Sequence, residues 1–210
     1  MISIGINIGE ARDKAFENID EEFSKNFKTK IKINKYGKYM FENSTFTTLP
    51  FCPIELNEGT YQNCKNITNL DSLPSNLKSI GDYCFCGCTG LTEITIPASV
   101  TYIGKGAFMN CTNLETITFE NRNTSLIIDE KAFFGCYKVE NIVINTTADL
   151  TIGNNAFTYM AYKDSGLKRL ELNCEGKLTL RGNCCSSCSN LTSIINIAES
   201  SSLDIDLAIF

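Results

Sequence analysis

Cysteine is the residue type in this chain that is most able to bind a metal or act as a nucleophile. The 210 residues include eleven cysteines and no histidine. Cys84, Cys86 and Cys88 form one cluster, and Cys184, Cys185 and Cys188 form another. Thiolates bind zinc well in sets of four, but structural zinc clusters usually show paired Cys-x-x-Cys motifs. An odd number of clustered cysteines also fits a disulfide framework poorly. We therefore favour a role for these cysteines in the core and predict no metal site.

The absence of histidine removes the commonest general base, the usual partner of a nucleophilic serine or cysteine, and the commonest metal ligand. No spacing suggests a lysine or carboxylate that replaces it. There is no glycine-rich phosphate loop, because Gly104 and Gly106 belong to a repeat described below. The sequence therefore predicts no catalytic residue, no cofactor and no enzyme.

Bulk composition restricts the partners and the compartment. Hydrophobic residues make up 43% and charged residues 20% of a chain with net charge −5, which is typical of a folded protein. Clustered basic residues are absent, so we expect no nucleic acid and no basic membrane-surface patch. No apolar run is long enough for a spanning helix, and the start does not resemble a secretory signal. This predicts a cytoplasmic protein or a component of an assembly, unless a signal was removed.

A repeat of about two dozen residues organises the chain from residue 56 onward. Successive units share an Ile-Gly pair, an Ala-Phe pair, a cysteine and a Leu-x-x-Ile-x-Ile segment. The cysteine position of each unit is occupied by Cys64, Cys88, Cys111, Cys136, Met160 and Cys188. Because buried free cysteine behaves as a small hydrophobe, the repeat accounts for most of the cysteines.

The pattern of one unit predicts its structure. In Leu91-x-x-Ile94-x-Ile96, alternation places Ile94 and Ile96 inward on a short strand. Such a strand buries its apolar face only when it is stacked on its neighbours, so we expect one parallel sheet with the Ala-Phe pairs inside the coil. The Ile-Gly pair is interpreted as a tight bend that needs the conformational freedom of glycine, and Pro97 ends the strand.

These units resemble BspA-like leucine-rich repeats, whose consensus is Leu-x-x-Ile-x-Ile-Pro-x-Ser-Val-x-x-Ile-Gly-x-x-Ala-Phe-x-x-Cys. Residues 91–111 match nearly every defined position, and the resemblance extends from Leu56 to Phe210. It implies an α/β-type leucine-rich-repeat solenoid of five to six turns over residues 46–210, with one curved parallel sheet and irregular or short helical return segments. It also implies adhesion to host proteins or other cells, and hence a cell-surface location.

Residues 1–45 lie outside the resemblance and predict an α+β module. An apolar stripe favours a helix over about residues 9–27, and residues 30–34 and 36–41 favour a β-hairpin around Gly37. This module is interpreted as an N-terminal cap or as a docking module. At the other end, the apolar residues 203–210 predict a closing strand or a surface for homo-oligomer or assembly contact.

The predicted binding surface is the outward face of the repeat sheet. It carries mixed polar residues with isolated apolar ones, which suits a protein or surface-glycan partner, although a merely solvated face would look similar. A structural component of a phage virion or a cytoskeletal structure is the alternative function. The predicted partner-binding residues are Glu93, Thr95, Thr116, Thr118, Asn141, Val143, Arg169, Glu171, Ser193 and Ile195.

Overall fold

Short parallel strands stacked coil upon coil form the protein, as a computed structural model shows. The structure describes residues 6–8, 13–20, 31–33, 37–49, 54–70, 73–162, 165–195, 202–206 and 208. Within these ranges the chain forms strands and turns and no helix. The predicted solenoid is confirmed, and in the described residues its return segments are turns rather than short helices.

The first side of the coil is formed by the Leu-x-x-Ile-x-Ile segments. β5 (Glu93–Ile96) pairs in parallel with β7 (Thr116–Phe119). β13 (Arg169–Cys174) pairs in parallel with β9 (Asn141–Thr146) and with β15 (Ser193–Ile195). Alternation along β5 buries Ile94 and Ile96 and exposes Glu93 and Thr95, as the sequence predicts.

A second parallel sheet forms another side, whereas the sequence predicted a single sheet. The isoleucine of each Ile-Gly pair lies in a strand of its own, because its side chain must also reach the core. The seven strands follow one another in chain order. They are β3 (Glu55–Leu56), β4 (Ser79–Ile80), β6 (Tyr102–Ile103), β8 (Leu126–Ile128), β10 (Leu150–Ile152), β14 (Leu178–Leu180) and β16 (Leu203–Ile205).

The glycine after this isoleucine is needed for a different reason from the one predicted. Gly104 is not among the residues with positive φ. A Cβ atom at Gly104 would instead lie 2.6 Å from the backbone nitrogen of Asp82 in the preceding coil. Gly81 and Gly153 are similarly close to the backbone of the coil before them. The glycine therefore permits close approach of two coils and does not supply an unusual backbone angle.

A six-residue turn completes each coil and joins it to the next one. In residues 105–110, Gly106 and Asn110 have φ values of 58° and 59°. The backbone N–H groups of Gly106, Phe108 and Asn110 donate to carbonyls of the following coil at 2.9, 2.7 and 2.8 Å. Among the described residues, eight turns have two left-handed residues at this spacing, at residues 14 and 18, 39 and 43, 59 and 63, 83 and 87, 106 and 110, 131 and 135, 155 and 159, and 183 and 187.

A column of aromatic rings runs through the core. Consecutive rings are stacked with centroids 5.1–5.8 Å apart and interplanar angles of 15° or less, and these contacts bury large apolar areas. The column consists of Phe16, Phe41, Tyr61, Phe85, Phe108, Phe133 and Phe157.

The N-terminal prediction is confirmed at one strand, since β2 (Ile31–Ile33) lies within the predicted strand of residues 30–34, and it is wrong elsewhere in the described residues. Residues 13–18 and 38–43 form turns rather than a helix and a strand, and β1 (Ile6–Ile8) pairs with β2 (Ile31–Ile33) in parallel rather than as a hairpin. Phe16 satisfies a helical apolar stripe and a coil position equally well, and stacking on Phe41 selects the coil. Residues 9–12, 21–30 and 34–36 lie outside the described residues, and a capping or docking role for 1–45 stays a prediction.

Two smaller features depart from the regular coils. The stretch between Met160 and Leu167 is longer than in the other units and contains β11 (Ala161–Tyr162) and β12 (Ser165–Gly166), which pair in antiparallel fashion. β16 pairs with β14 in parallel, so the segment from Leu203 does begin another coil. The repeat thus continues through both irregularities.

Candidate binding face

The outward residues of the first sheet lie in two rows that cross the strands. Each row joins residues that are paired in register within the β5–β7 pair or within the β9–β13–β15 sheet. One row contains Glu93, Thr116, Asn141, Arg169 and Ser193, and the other contains Thr95, Thr118, Val143, Glu171 and Ile195. The eight predicted residues on β5, β7, β9 and β13 therefore share one face of the solenoid, and Ser193 and Ile195 follow the same backbone register.

These rows form a mostly polar surface. Of the eight predicted residues on β5, β7, β9 and β13, seven have exposed side chains and Glu171 is half-buried. Arg169 forms an ion pair with Glu171 on the same strand. Val143, which is 36% exposed, is the one exposed large apolar residue described on these strands. This face can offer hydrogen bonds, charge and one apolar contact to a partner.

The face is interrupted between β7 and β9. These strands do not form a hydrogen-bonded ladder, and the described pairing between the two coils on this side is a single bridge from Arg122 to Thr146. We call this interruption the seam. An open cleft lies at each end of it, so the two coils offer concave surface at the seam.

The cleft at the N-terminal ends of β7 and β9 is charged. It has a volume of about 570 Å³ and is lined by Glu115, Thr116, Lys138, Glu140 and Asn141. Lys138 Nζ lies 3.1 Å from Glu115 Oε1. Exposed ion pairs of this kind contribute little to stability, so these charges remain available to a partner.

The cleft at the C-terminal ends of β7, β9 and β13 is lined mainly by amides and hydroxyls, and we call it the amide cleft. Its volume is about 460 Å³, and its lining consists of Asn121, Arg122, Asn145, Thr146, Thr147, Asn173 and Glu175. A ladder of side-chain amides crosses it. Asn173 Nδ2 donates to Asn145 Oδ1 at 2.7 Å, and Asn145 Nδ2 donates to Asn121 Oδ1 at 3.1 Å.

Arg122 lies at the base of this cleft and is only 4% exposed. Its Nη1 donates to the Val100 carbonyl at 2.9 Å, and its Nη2 donates to the Ile96 carbonyl at 3.4 Å. Arg122 Nε and Asn173 Oδ1 are buried without a hydrogen-bond partner, which costs roughly 1–3 kcal/mol for each such atom. Burial lowers the pKa of Arg122 from its usual value, although arginine stays charged at neutral pH.

The amide cleft was not predicted from the sequence. Its signal was present, because Asn145 and Asn173 occupy paired positions on adjacent strands. Aligning the repeats position by position beyond their apolar residues reveals this column of asparagines. Arg122 gave no such signal, since its depth depends on the carbonyls of a turn in the preceding coil.

The repeat cysteines are individually matched to backbone carbonyls. The Sγ atoms of Cys88, Cys111 and Cys136 lie 3.2, 3.2 and 3.3 Å from carbonyl oxygens of the preceding coil. Burial raises the pKa of Cys136 to about 12. Within the ranges that the structure describes, no three histidine, cysteine or acidic side chains converge as metal ligands would. The geometry accounts for these cysteines as core residues.

One adjacent cysteine pair lies in the final full coil. Cys184 Sγ and Cys185 Sγ are 3.8 Å apart and buried. The hydrogen bond with Cys184, together with burial, raises the pKa of the Cys185 thiol. Cys184 and Cys185 precede Cys188 as Ala107 and Phe108 precede Cys111, so they occupy the Ala-Phe positions of this coil.

No helix capable of crossing a membrane occurs in the part of the chain that the structure describes.

Comparison with known proteins places the chain among repeat proteins. A family model for the BspA type leucine-rich repeat region matches in six copies, over residues 1–68, 54–165 and 128–206. The crystal structure of a leucine-rich repeat protein from Bacteroides ovatus ATCC 8483 is similar, with a TM-score of 0.54 and 20% identity over 97% of this chain and 69% of that chain. No curated protein matches. The match from residue 1 overturns the expectation that residues 1–45 lie outside the repeat resemblance.

Proposed function

The chain belongs to the BspA-type leucine-rich repeat family, and from this premise we propose that it is a non-catalytic scaffold that binds another macromolecule. The binding surface is the outward face of β5, β7, β9, β13 and β15, and adhesion to a protein on a cell or matrix surface is the specific role. Solenoids present broad, rigid surfaces of this kind to partners.

The observation that carries this proposal is the arrangement of the exposed residues in two rows in register. Hydrogen-bonded strands of the continuous second sheet and hydrogen-bonded turns hold each coil against the next. A partner therefore meets preformed rows of side chains, and little conformational entropy is lost on binding. The absence of histidine from the sequence supports the non-catalytic part of the proposal.

Paired substitutions on opposite faces test the proposal. Val143 and Ile127 are both exposed and β-branched, at 36% and 43%, but Val143 lies on the proposed face and Ile127 lies on the second sheet. We expect the purified protein to bind at least one member of a panel of purified extracellular matrix proteins. Val143→Arg should weaken that binding about tenfold or more, because it places a desolvated charge in the interface.

Ile127→Arg serves as the matched control and should bind as the wild type does. Equal loss in both variants, or no binding to any panel member, would contradict the proposal. Both measurements use biolayer interferometry, with circular dichroism to verify that each variant is folded.

The alternative is a structural component that assembles through its ends, including residues 1–45 and 203–210. Leu203 and Ile205 are 57% and 43% exposed, although their register partners Leu178 and Leu180 are buried. Light scattering separates the two functions. A monomer that binds matrix proteins supports the scaffold, whereas self-assembly that Leu203→Glu abolishes, without any matrix binding, supports the structural role.

A further inference from the structure

We propose that the amide cleft is a binding site for a neutral linear oligosaccharide, whose chain lies across the coils β7, β9 and β13. This proposal rests on the proposed function and specifies a ligand for one part of the same face. It follows from the spacing of the amides, from the unmatched polar atoms and from the charge balance of the lining.

The amide ladder presents one hydrogen-bonding group from each of three consecutive coils. Adjacent strands of a sheet are about 4.8 Å apart, and the parallel bridge between Arg122 and Thr146 gives the neighbouring Asn121 and Asn145 a similar spacing across the seam. This spacing is close to the length of one sugar ring. A saccharide chain running along the solenoid axis can therefore place successive rings against Asn121, Asn145 and Asn173. In an extended peptide, side chains on one face recur about every 6.8 Å. This repeat does not match the spacing of the three amides, so successive peptide side chains cannot contact successive asparagines.

The ladder has a donor end and an acceptor end. All its side-chain bonds run in one direction, from Asn173 to Asn145 to Asn121. This leaves the Nδ2 group of the exposed Asn121 available to donate, and it leaves Asn173 Oδ1 as an acceptor without a partner. Hydroxyl groups both donate and accept, so adjacent sugar hydroxyls can complement both ends.

Arg122 adds a second unmatched group to the same lining. Its side chain is nearly fully buried, and Nε lacks an acceptor while the Nη groups are held by carbonyls. A hydroxyl oxygen that enters the cleft, with a small adjustment of the lining, provides that acceptor. A buried unpaired donor disfavours the unliganded protein, so pairing it contributes to binding.

The charge of the lining favours a neutral ligand. Arg122 is the one cation and Glu175 the one anion among the seven lining residues, and Glu171 accepts from Asn173 Nδ2 at 2.8 Å. An anionic ligand would pair with Arg122 but would face both carboxylates and leave Asn173 Oδ1 unmatched. Amides, hydroxyls and carboxylates instead match a neutral polyol.

The experiment uses the full chain on an array of neutral pyranose oligosaccharides of three to six rings, beside anionic glycans and extended peptides. The strongest neutral oligosaccharide is then titrated by calorimetry against the wild type, Asn121→Ala, Asn145→Ala and Asn113→Ala. Asn113 is a matched control, because its amide is exposed and also donates to the preceding coil, to the Thr89 carbonyl at 2.7 Å, but it lies outside the cleft.

We expect saturable binding of a neutral oligosaccharide that weakens about fivefold in Asn121→Ala and in Asn145→Ala, which is the loss expected for one hydrogen bond. Asn113→Ala should bind as the wild type does. Asn121 is exposed at the rim, so its variant remains informative even if Asn145→Ala fails to fold. The proposal is overturned if no neutral glycan binds or if all variants have equal affinities. It is also overturned if binding is confined to anionic glycans or peptides.

These outcomes are distinguishable from failure of the proposed function. If Val143→Arg abolishes matrix-protein binding while no glycan binds, only the saccharide assignment is overturned. If a neutral glycan binds at the cleft but no protein binds the face, the saccharide site stands and the protein-binding role is overturned.

Discussion

At the scale of single residues, the repeat cysteine combines a small apolar volume with a weak donor. Its thiol lies against the carbonyl of the aromatic residue one coil earlier, at 3.1 Å for Cys64 and Phe41 and at 2.9 Å for Cys188 and Phe157. A larger side chain needs more space here, and alanine lacks the donor. Met160 occupies the position where the following insertion changes the coil.

Burial of this thiol leads to a prediction about its reactivity. The pKa of Cys136 is about 12, so at pH 8 only about one molecule in ten thousand carries the reactive thiolate. We expect iodoacetamide at pH 8 to alkylate Cys136 very slowly in the native protein and rapidly in concentrated urea, as measured by peptide mass spectrometry. Similar rates in both conditions would show that the thiol is exposed or ionised.

The same shift has a consequence for stability. The pKa of Cys136 is higher in the folded state than the usual 9.0, so folding favours the protonated thiol. Its contribution to the free energy of unfolding is therefore fully present below pH 9 and is lost as the pH rises toward about 12.

At the scale of the elements, close contact between coils depends on the positions of particular glycines. Gly104 allows the start of one turn to lie against the start of the previous one, with the Asp82 backbone nitrogen 2.6 Å from the place of a Cβ atom. Backbone cannot move aside as a side-chain tip can. Gly182, in contrast, has no atom closer than 3.6 Å to that place.

This contrast predicts different effects for the same substitution. Gly104→Ala should lower the free energy of unfolding by roughly 1–3 kcal/mol, because the added methyl group separates two coils. Gly182→Ala should change it by less than about 0.5 kcal/mol. Urea denaturation of both variants checks this, and equal midpoints would mean that the coils are not in close contact at Gly104.

The strands of the first sheet were predictable and the turns were not. Alternating apolar residues such as Ile94 and Ile96 identify a half-buried strand from local sequence alone. Asparagine or glycine, which tolerate left-handed backbone angles, fills ten of the sixteen left-handed turn positions described, but Lys131 and Tyr159 fill others, so residue type alone does not identify them. Their backbone angles are imposed by hydrogen bonds to the next coil, which a local pattern does not contain.

At the scale of the whole molecule, one column of rings joins coils that the sequence divided into two units. The stacked rings of Phe16 and Phe41 continue into Tyr61 and Phe85 without a break. Residues 1–45 concealed this relation, because they contain no cysteine and their apolar residues also fit a helix locally. The outward face was predictable from strand alternation, whereas the seam and its clefts depend on how two particular coils meet.

Because each coil touches mainly its neighbours, the solenoid should open in segments rather than all at once. Amide exchange should be slowest in the central coils, where the N–H groups of Phe85 and Phe108 donate to the next turn at 2.7 Å. Phe108→Ala removes an interior ring of the column and should accelerate exchange most in the coils of Phe85 and Phe133. Phe16→Ala should accelerate exchange in the coil of Phe41 and leave the Phe133 coil unchanged. Hydrogen exchange followed by mass spectrometry distinguishes these patterns, and a uniform acceleration throughout the chain in both variants would establish global unfolding instead of nearest-neighbour coupling.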